Sequence, residues 1–225
     1  MAASTKQVER QVEIPSGTRR LSGILTIPPG AAGVVAFAHG SGSGRFSPRN
    51  QYVARLLQDG GLATLLLDLL EEEEADDRAK VFDIELLAER LQSAANWLSQ
   101  ESATRSLRLG YFGASTGAGA ALVAAAREPA RVGAVVSRGG RPDLASEDLP
   151  AVQTPTLLIV GGNDDIVIEL NQHAHRLLRC PKELVIIPGA THLFEESGAL
   201  EEVARLAKEW FIRYLAFVNE SVPAY

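Results

Sequence analysis

The chain alternates between short, nearly continuous apolar runs and longer stretches in which apolar residues recur every three or four positions. From Gly33 onward the runs are "GVVAFAHG", "LATLLLDLL", "LRLGYFG", "VGAVVS", "PTLLIVGG" and "KELVIIPG". Runs of this length and continuity predict strands buried on both faces of a parallel sheet. Upstream, "KQVERQVEI" and "RRLSGILTIP" instead alternate apolar and polar residues around Pro15-Ser16-Gly17. That period of two predicts an antiparallel hairpin at a sheet edge. The first half-dozen residues read as frayed.

Helical periodicity fills the intervals. "SPRNQYVARLLQDG" opens at Ser47 with Pro48 in its first turn and closes on a glycine, both boundary signals. "DIELLAERLQSAANWLSQ" carries an apolar stripe opposite its charges, and "STGAGAALVAAARE" is small and apolar, as a helix lying close against a sheet must be. "ELNQHAHRLLR" and "LEEVARLAKEWFIRYLAFV" complete the set. Strands alternating with helices imply βαβ units and right-handed crossovers. No repeat or linker divides residues 1–225, which read as a single α/β domain. The connection from Arg138 to Pro155 is too short for a separate lid domain.

Composition narrows the setting. The net charge of −6 and pI near 5.3 argue against a nucleic-acid partner, which would require a basic face. A single cysteine permits no intrachain disulfide and suits a reducing compartment. The N-terminal stretch lacks an apolar signal region, and no segment approaches the roughly 18 apolar residues of a membrane span. The expectation is a cytoplasmic protein without a membrane partner. Glu71 to Glu74, followed by Asp76 and Asp77, forms an acidic run that reads as a solvated loop, since contiguous like charges repel and do not converge on a metal.

Chemistry concentrates in "LRLGYFGASTGAGAAL", where a strand turns directly into a helix at Gly113-Ala114-Ser115-Thr116-Gly117. A P-loop requires a lysine, and none is near. A dinucleotide fingerprint requires a glycine or alanine at its sixth position, where Leu122 stands, and an acid closing a following strand, where Ser137-Arg138-Gly139 stands. The pattern G-x-S-x-G, a nucleophile elbow, fits every position. Asp164 and Asp165 follow one later buried strand, and His192 follows the next. The chain order serine, acid, histidine is the one this elbow uses. All three fall at the C-terminal ends of parallel strands, where ligands bind in open α/β sheets. The imidazole would accept the serine proton, and the carboxylate would fix its tautomer. The Thr116 N–H at the helix start and the Ser41 N–H in the glycine-rich "HGSGSGR" loop are the candidate oxyanion donors.

"AHGSGSGR", "GYFGASTGAGAAL", "GGNDDIV" and "PGATHLFEE" together resemble the α/β-hydrolase superfamily, and within it the small lidless dienelactone-hydrolase-like group. The resemblance covers the chain from the hairpin to the last helix. It implies an α/β-hydrolase fold: a mostly parallel eight-stranded sheet, only its second strand antiparallel, with helices on both faces. It also implies hydrolysis of a small-molecule ester without metal or organic cofactor. The family's G-x-x-D pattern, matched by Gly161-Gly162-Asn163-Asp164, selects Asp164 over Asp165 as the acid. The resemblance makes His39 a structural histidine bonding nearby backbone. One departure is chemical: dienelactone hydrolases carry cysteine at the elbow, and this chain carries Ser115.

Other residues are weighed against this reading. His173 and His175 point to different helix faces and read as solvated. Cys180 reads as a small filler, and Trp97 and Trp210 as core. Arg45, Arg138 and Arg141 fall on loops at the same sheet edge as Ser115; they serve either structural salt bridges, for instance with Asp143, or a cationic substrate rim. The expected activity is that of a serine esterase with the triad Ser115, Asp164 and His192. Its rivals are acyl transfer to an acceptor other than water and a non-catalytic small-molecule binder on the same fold.

Overall fold

A computed structural model describes residues 6–216. The two antiparallel strands of the hairpin, β1 (Val8–Ser16) and β2 (Arg19–Ile27), turn at Gly17, whose φ of 59° needs the freedom of glycine. Six further strands follow: β3 (Val34–Ala38), β4 (Ala63–Leu67), β5 (Leu109–Ala114), β6 (Val132–Arg138), β7 (Thr156–Gly161) and β8 (Lys182–Ile187). They join the hairpin in one eight-stranded sheet ordered β1-β2-β4-β3-β5-β6-β7-β8. Only β2 runs antiparallel to its neighbours. Every residue of β3, β4, β5 and β7 is buried, as their unbroken apolar runs predict.

Helices cover both faces. On one face lie α1 (Pro48–Asp59) and α7 (Ala199–Leu215), packed around Phe37, Phe112 and Phe211. On the other lie α4 (Ile84–Gln100), α5 (Thr116–Arg127) and α6 (Asp165–Leu177). Helix α5 is buried from Thr116 to Ala125, and its alanines and glycines let it lie close under its neighbours. The Cα of Gly119, for example, has the Arg141 carbonyl only 3.1 Å from where a Cβ would stand. Helix α6 begins at Asp165, four positions before the Glu169 expected from periodicity. Helix α7 closes at Leu215; residues 217 and 218, expected to extend it, and residues 1–5, expected to be frayed, lie outside the described residues.

The acidic run departs from expectation. It folds into two short helices, α2 (Glu72–Ala75) and α3 (Arg78–Val81), and Glu74 is only 5% exposed. Arg90 of α4, itself buried, grips that carboxylate at 2.5 and 2.9 Å, and Lys80 adds a contact at 3.1 Å. Side-chain hydrogen bonds from Arg90 hold the Glu74 carboxyl down at about 2. Like charges in sequence are therefore not all solvated: one is consumed by a cation that arrives from another helix. Arg138–Pro155 contains only two short 3₁₀ turns, Pro142–Ala145 and Leu149–Ala151, and no lid.

Candidate active site

Ser115 caps α5 with φ 50° and ψ −121°, one of two non-glycine residues at positive φ among the described residues. Such a conformation is strained for a side chain and persists only where the surroundings over-determine it. Both flanking glycines are required. A Cβ on Gly117 would stand 2.2 Å from the Ala38 carbonyl oxygen, and one on Gly113 would stand 2.4 Å from the Ala118 Cα. Backbone cannot retreat from either clash. The Ser115 N–H donates to the Arg138 carbonyl at 3.3 Å, and the Ser115 carbonyl accepts from the Arg141 N–H at 3.0 Å. The turn is thus pinned on both sides by the segment that leaves β6.

His192 and Asp164 meet: Nδ1 lies 2.7 Å from Oδ2. Asn163 stitches their loops together, donating from its backbone to Ala190 at 2.9 Å and from its side chain to Gly189 at 2.8 Å. The His192 loop also packs on Gly139, where a Cβ would stand 3.5 Å from the imidazole Cε1 and 3.4 Å from the Phe194 ring. Gly139 adjoins the carbonyl that holds Ser115, so the loop and the elbow rest on the same two residues. The Ser115 hydroxyl makes no hydrogen bond to His192 among the described residues; such contacts are commonly long without substrate and tighten when it binds. Asp165 opens α6 and is exposed.

Ser41 and Thr116 face a cavity of about 900 Å³, which also borders Gly40, Arg45, Arg49 and Glu71. Gly40 approaches the elbow so closely that a Cβ there would stand 3.0 Å from Ser115 Cβ. Neither Ser41 N–H nor Thr116 N–H is engaged by another group among the described residues. His39 anchors this loop. Its Nε2 accepts from the Leu69 N–H at 2.9 Å, which leaves the proton on Nδ1 to donate to the Gly40 carbonyl at 2.9 Å. Burial holds its pKa below the ordinary value, with the Gly40 contact and Asp68 opposing. Arg90 donates to the Leu69 carbonyl at 2.7 Å, so the ion pair beneath α2 steadies the segment to which His39 is tied.

The three arginines separate. Arg141 forks onto Asp143 at 2.8 and 2.7 Å, and Arg45 pairs with Asp68, which also accepts the Arg45 N–H at 2.6 Å. Both are occupied structurally. Arg138 is no exposed rim residue, contrary to the expected loop position: it ends β6, follows Val136 on the α1–α7 face, and is 8% exposed. Cys180 and Trp210 are buried, and His173 is exposed, as expected. The sequence reading passed over Asp68, Asn163, Arg49 and Phe194. Asp68 carried a usable signal, an acid directly after a buried strand run; the others have meaning only through partners distant in the chain.

The chain also matches known proteins. The model of the dienelactone hydrolase family matches residues 22–222. The chain belongs to the dienelactone hydrolase family. A dienelactone hydrolase from Anabaena variabilis is 59% identical, with a TM-score of 0.91 over 93% of this chain and 99% of that one. Est1E from Butyrivibrio proteoclasticus shares the fold at 16% identity and a TM-score of 0.78, covering 90% of this chain and 98% of its own. A Mycobacterium tuberculosis protein described as a "putative phosphoribosyl transferase" is 56% identical over 95% of this chain. The match takes in 48% of that relative, so the chain spans about half the length of the curated relatives it matches. Membership in that family accounts for the α/β-hydrolase fold of this chain. No helix of the described residues is long and apolar enough to cross a membrane.

Proposed function

We propose that the protein is a serine hydrolase that cleaves carboxylic esters of small molecules through an acyl-enzyme. The observation that carries this reading is the 2.7 Å contact between His192 Nδ1 and Asp164 Oδ2 beside a serine held at positive φ. Asp164 accepts a hydrogen bond from Nδ1–H, which keeps the proton on that nitrogen and leaves Nε2 free to take the proton of Ser115 Oγ. The alkoxide attacks the ester carbonyl, and the N–H groups of Ser41 and Thr116 receive the oxyanion; one such donor is typically worth about 2.7–4 kcal/mol. The imidazolium returns its proton to the leaving alcohol, and water repeats the sequence to free the acid. The cycle calls on no metal or organic cofactor. Cys180, buried and raised in pKa first by desolvation, is suited to packing in a reducing, cytoplasmic setting and not to nucleophilic work.

The dienelactone hydrolase name of the 59% identical structural neighbour supports ester chemistry. The phosphoribosyl-transfer name stays with the longer relatives. A fluorophosphonate probe tests the reading: it should label Ser115 alone, and Ser115→Ala should abolish labelling and lower ester turnover by several orders of magnitude. Undiminished labelling of Ser115→Ala overturns the assignment. Adding alcohols to the acylated enzyme separates hydrolysis from acyl transfer, because a transferase would form the new ester faster than the free acid.

A further inference from the structure

Arg138 is a group at this sheet edge that the proposed chemistry leaves unexplained. Its Nε and Nη1 are sealed from solvent without a hydrogen-bond partner, and no carboxylate pairs with it among the described residues. Burying an ion without a counter-ion costs several kcal/mol. Such a group calls for a partner from outside the chain, whether ordered water or a bound ion. Its backbone sets it beside the elbow: Arg138 pairs with Ala114, the residue before Ser115, and its carbonyl holds the Ser115 N–H.

A second cation lies near it. Arg49, in the first turn of α1, lines the cavity beside Gly40, Ser41 and Thr116, and its Nε is also buried without a partner. Its Nη1 reaches Glu195 at 3.2 Å, but that carboxylate is 64% exposed and is a weak counter-ion. The first turn of α1 contains no acid. A cation there opposes the positive end of the helix dipole, where anions are normally favoured. Burial, with the charge of Arg49 adding to it, pushes Arg138 down to about 10. Positive charge therefore accumulates from Arg138, Arg49 and a helix terminus, with one exposed carboxylate in return. Local rules broken together at one place are expected where a ligand supplies the missing part.

We propose that Arg138 and Arg49 form an anion-binding subsite beside Ser115, built for the phosphate group of a phosphorylated small molecule. Two guanidinium groups and a helix terminus call for more than one negative charge, and phosphate accepts forked hydrogen bonds from arginine. A carboxylate can receive only one such fork and would leave the other guanidinium to the exposed Glu195 or to nothing. Where the proposed ester hydrolysis holds, the substrate is an ester that carries a phosphate within reach of the nucleophile. That clause rests on the serine-hydrolase reading; the anion site does not.

The test therefore uses Ser115→Ala, in which turnover plays no part. Its melting temperature is followed while inorganic phosphate or acetate is titrated at constant ionic strength with sodium chloride. The expected result is a saturable rise with phosphate, with a midpoint at least tenfold lower than any seen with acetate. Adding Arg138→Met should abolish the rise and leave the anion-free melting temperature equal or higher, since it removes an unpaired buried charge. Adding Arg49→Met should raise the phosphate midpoint about tenfold or more, and it keeps the test decisive should the Arg138 variant fail to fold. No rise, an equal rise in all variants, or acetate binding as tightly as phosphate would overturn the proposal. Failure of fluorophosphonate labelling would overturn the hydrolase mechanism and leave this result standing.

Discussion

Asp164 gives its carboxylate to His192, at 2.7 Å, instead of to the helix it begins. An aspartate at a helix N-cap normally accepts from the backbone of the first turn, yet Asp164 caps α6 without any side-chain hydrogen bond to it. The diverted carboxylate separates two neighbours of identical chemistry. Asp164→Asn should lower kcat by on the order of 10⁴-fold, as the wrong imidazole tautomer comes to face Ser115. Asp165→Asn, on an exposed residue, should change kcat by less than about threefold. Steady-state kinetics on any turned-over ester decide it, and the reverse ranking would reassign the acid.

The His39 contacts predict an acid-sensitive loop. Its Nε2 accepts from Leu69, so protonation must sacrifice that bond. Because the folded pKa lies below the ordinary value of 6.5, first through burial, the unfolded chain takes up the proton earlier as pH falls. The unfolded state then binds more protons, and stability declines from about pH 6.5 down to the folded pKa, below which this contribution levels off. Urea titrations at pH 7.5, 6.0 and 5.0 should show the decline. His39→Gln, which can still accept from Leu69 and donate to Gly40, should flatten it. A shallower slope will persist from His175, which partial burial also lowers. An unchanged slope in His39→Gln would remove His39 as its source.

Glu74 offers a stability test away from the elbow. Its partner Arg90 is 4% exposed, so Glu74→Gln leaves an uncompensated buried guanidinium, at a cost of about 3–5 kcal/mol. The wild-type pair is intact above pH 4.5 and weakens as pH falls toward 2, because the unfolded carboxyl protonates first. Replacing both partners, as Glu74→Gln with Arg90→Met, should recover most of the loss. Chemical denaturation at pH 7 measures both effects, and a single-variant loss under about 1 kcal/mol would mean that solvent already reaches the pair.

These sites also mark where the sequence ceased to be readable. The strands were legible because burial on both faces writes itself as continuous apolar runs, and the elbow because G-x-S-x-G leaves few other ways to turn so tightly. Glu74 was not, because its counter-charge sits 16 positions away in a helix that α2 touches only after folding. Arg138 reads as a loop residue beside two glycines, but β6 carries it one step further, onto the face of Val136. Helix α6 starts just after Asn163, which the next strand's loop holds at Gly189 and Ala190, and periodicity over a local window does not record such a contact. The turn at Phe194, with φ 55° on a fully buried phenylalanine, has no local signature at all.

The sheet order gives the two halves of the proposed machinery unequal footing. Ser115 follows β5, which is flanked on both sides by parallel strands, whereas His192 follows β8, an edge strand paired only with β7 and partly exposed along its length. Amide exchange in such an arrangement runs from slow at the centre to fast at the border, since edge segments open without the rest. Mild denaturant should therefore silence the proposed activity while the circular dichroism is still native, because the imidazole drifts before the serine does. The nucleophile would survive, folded and unassisted, in a protein that has lost only the outer margin of its sheet.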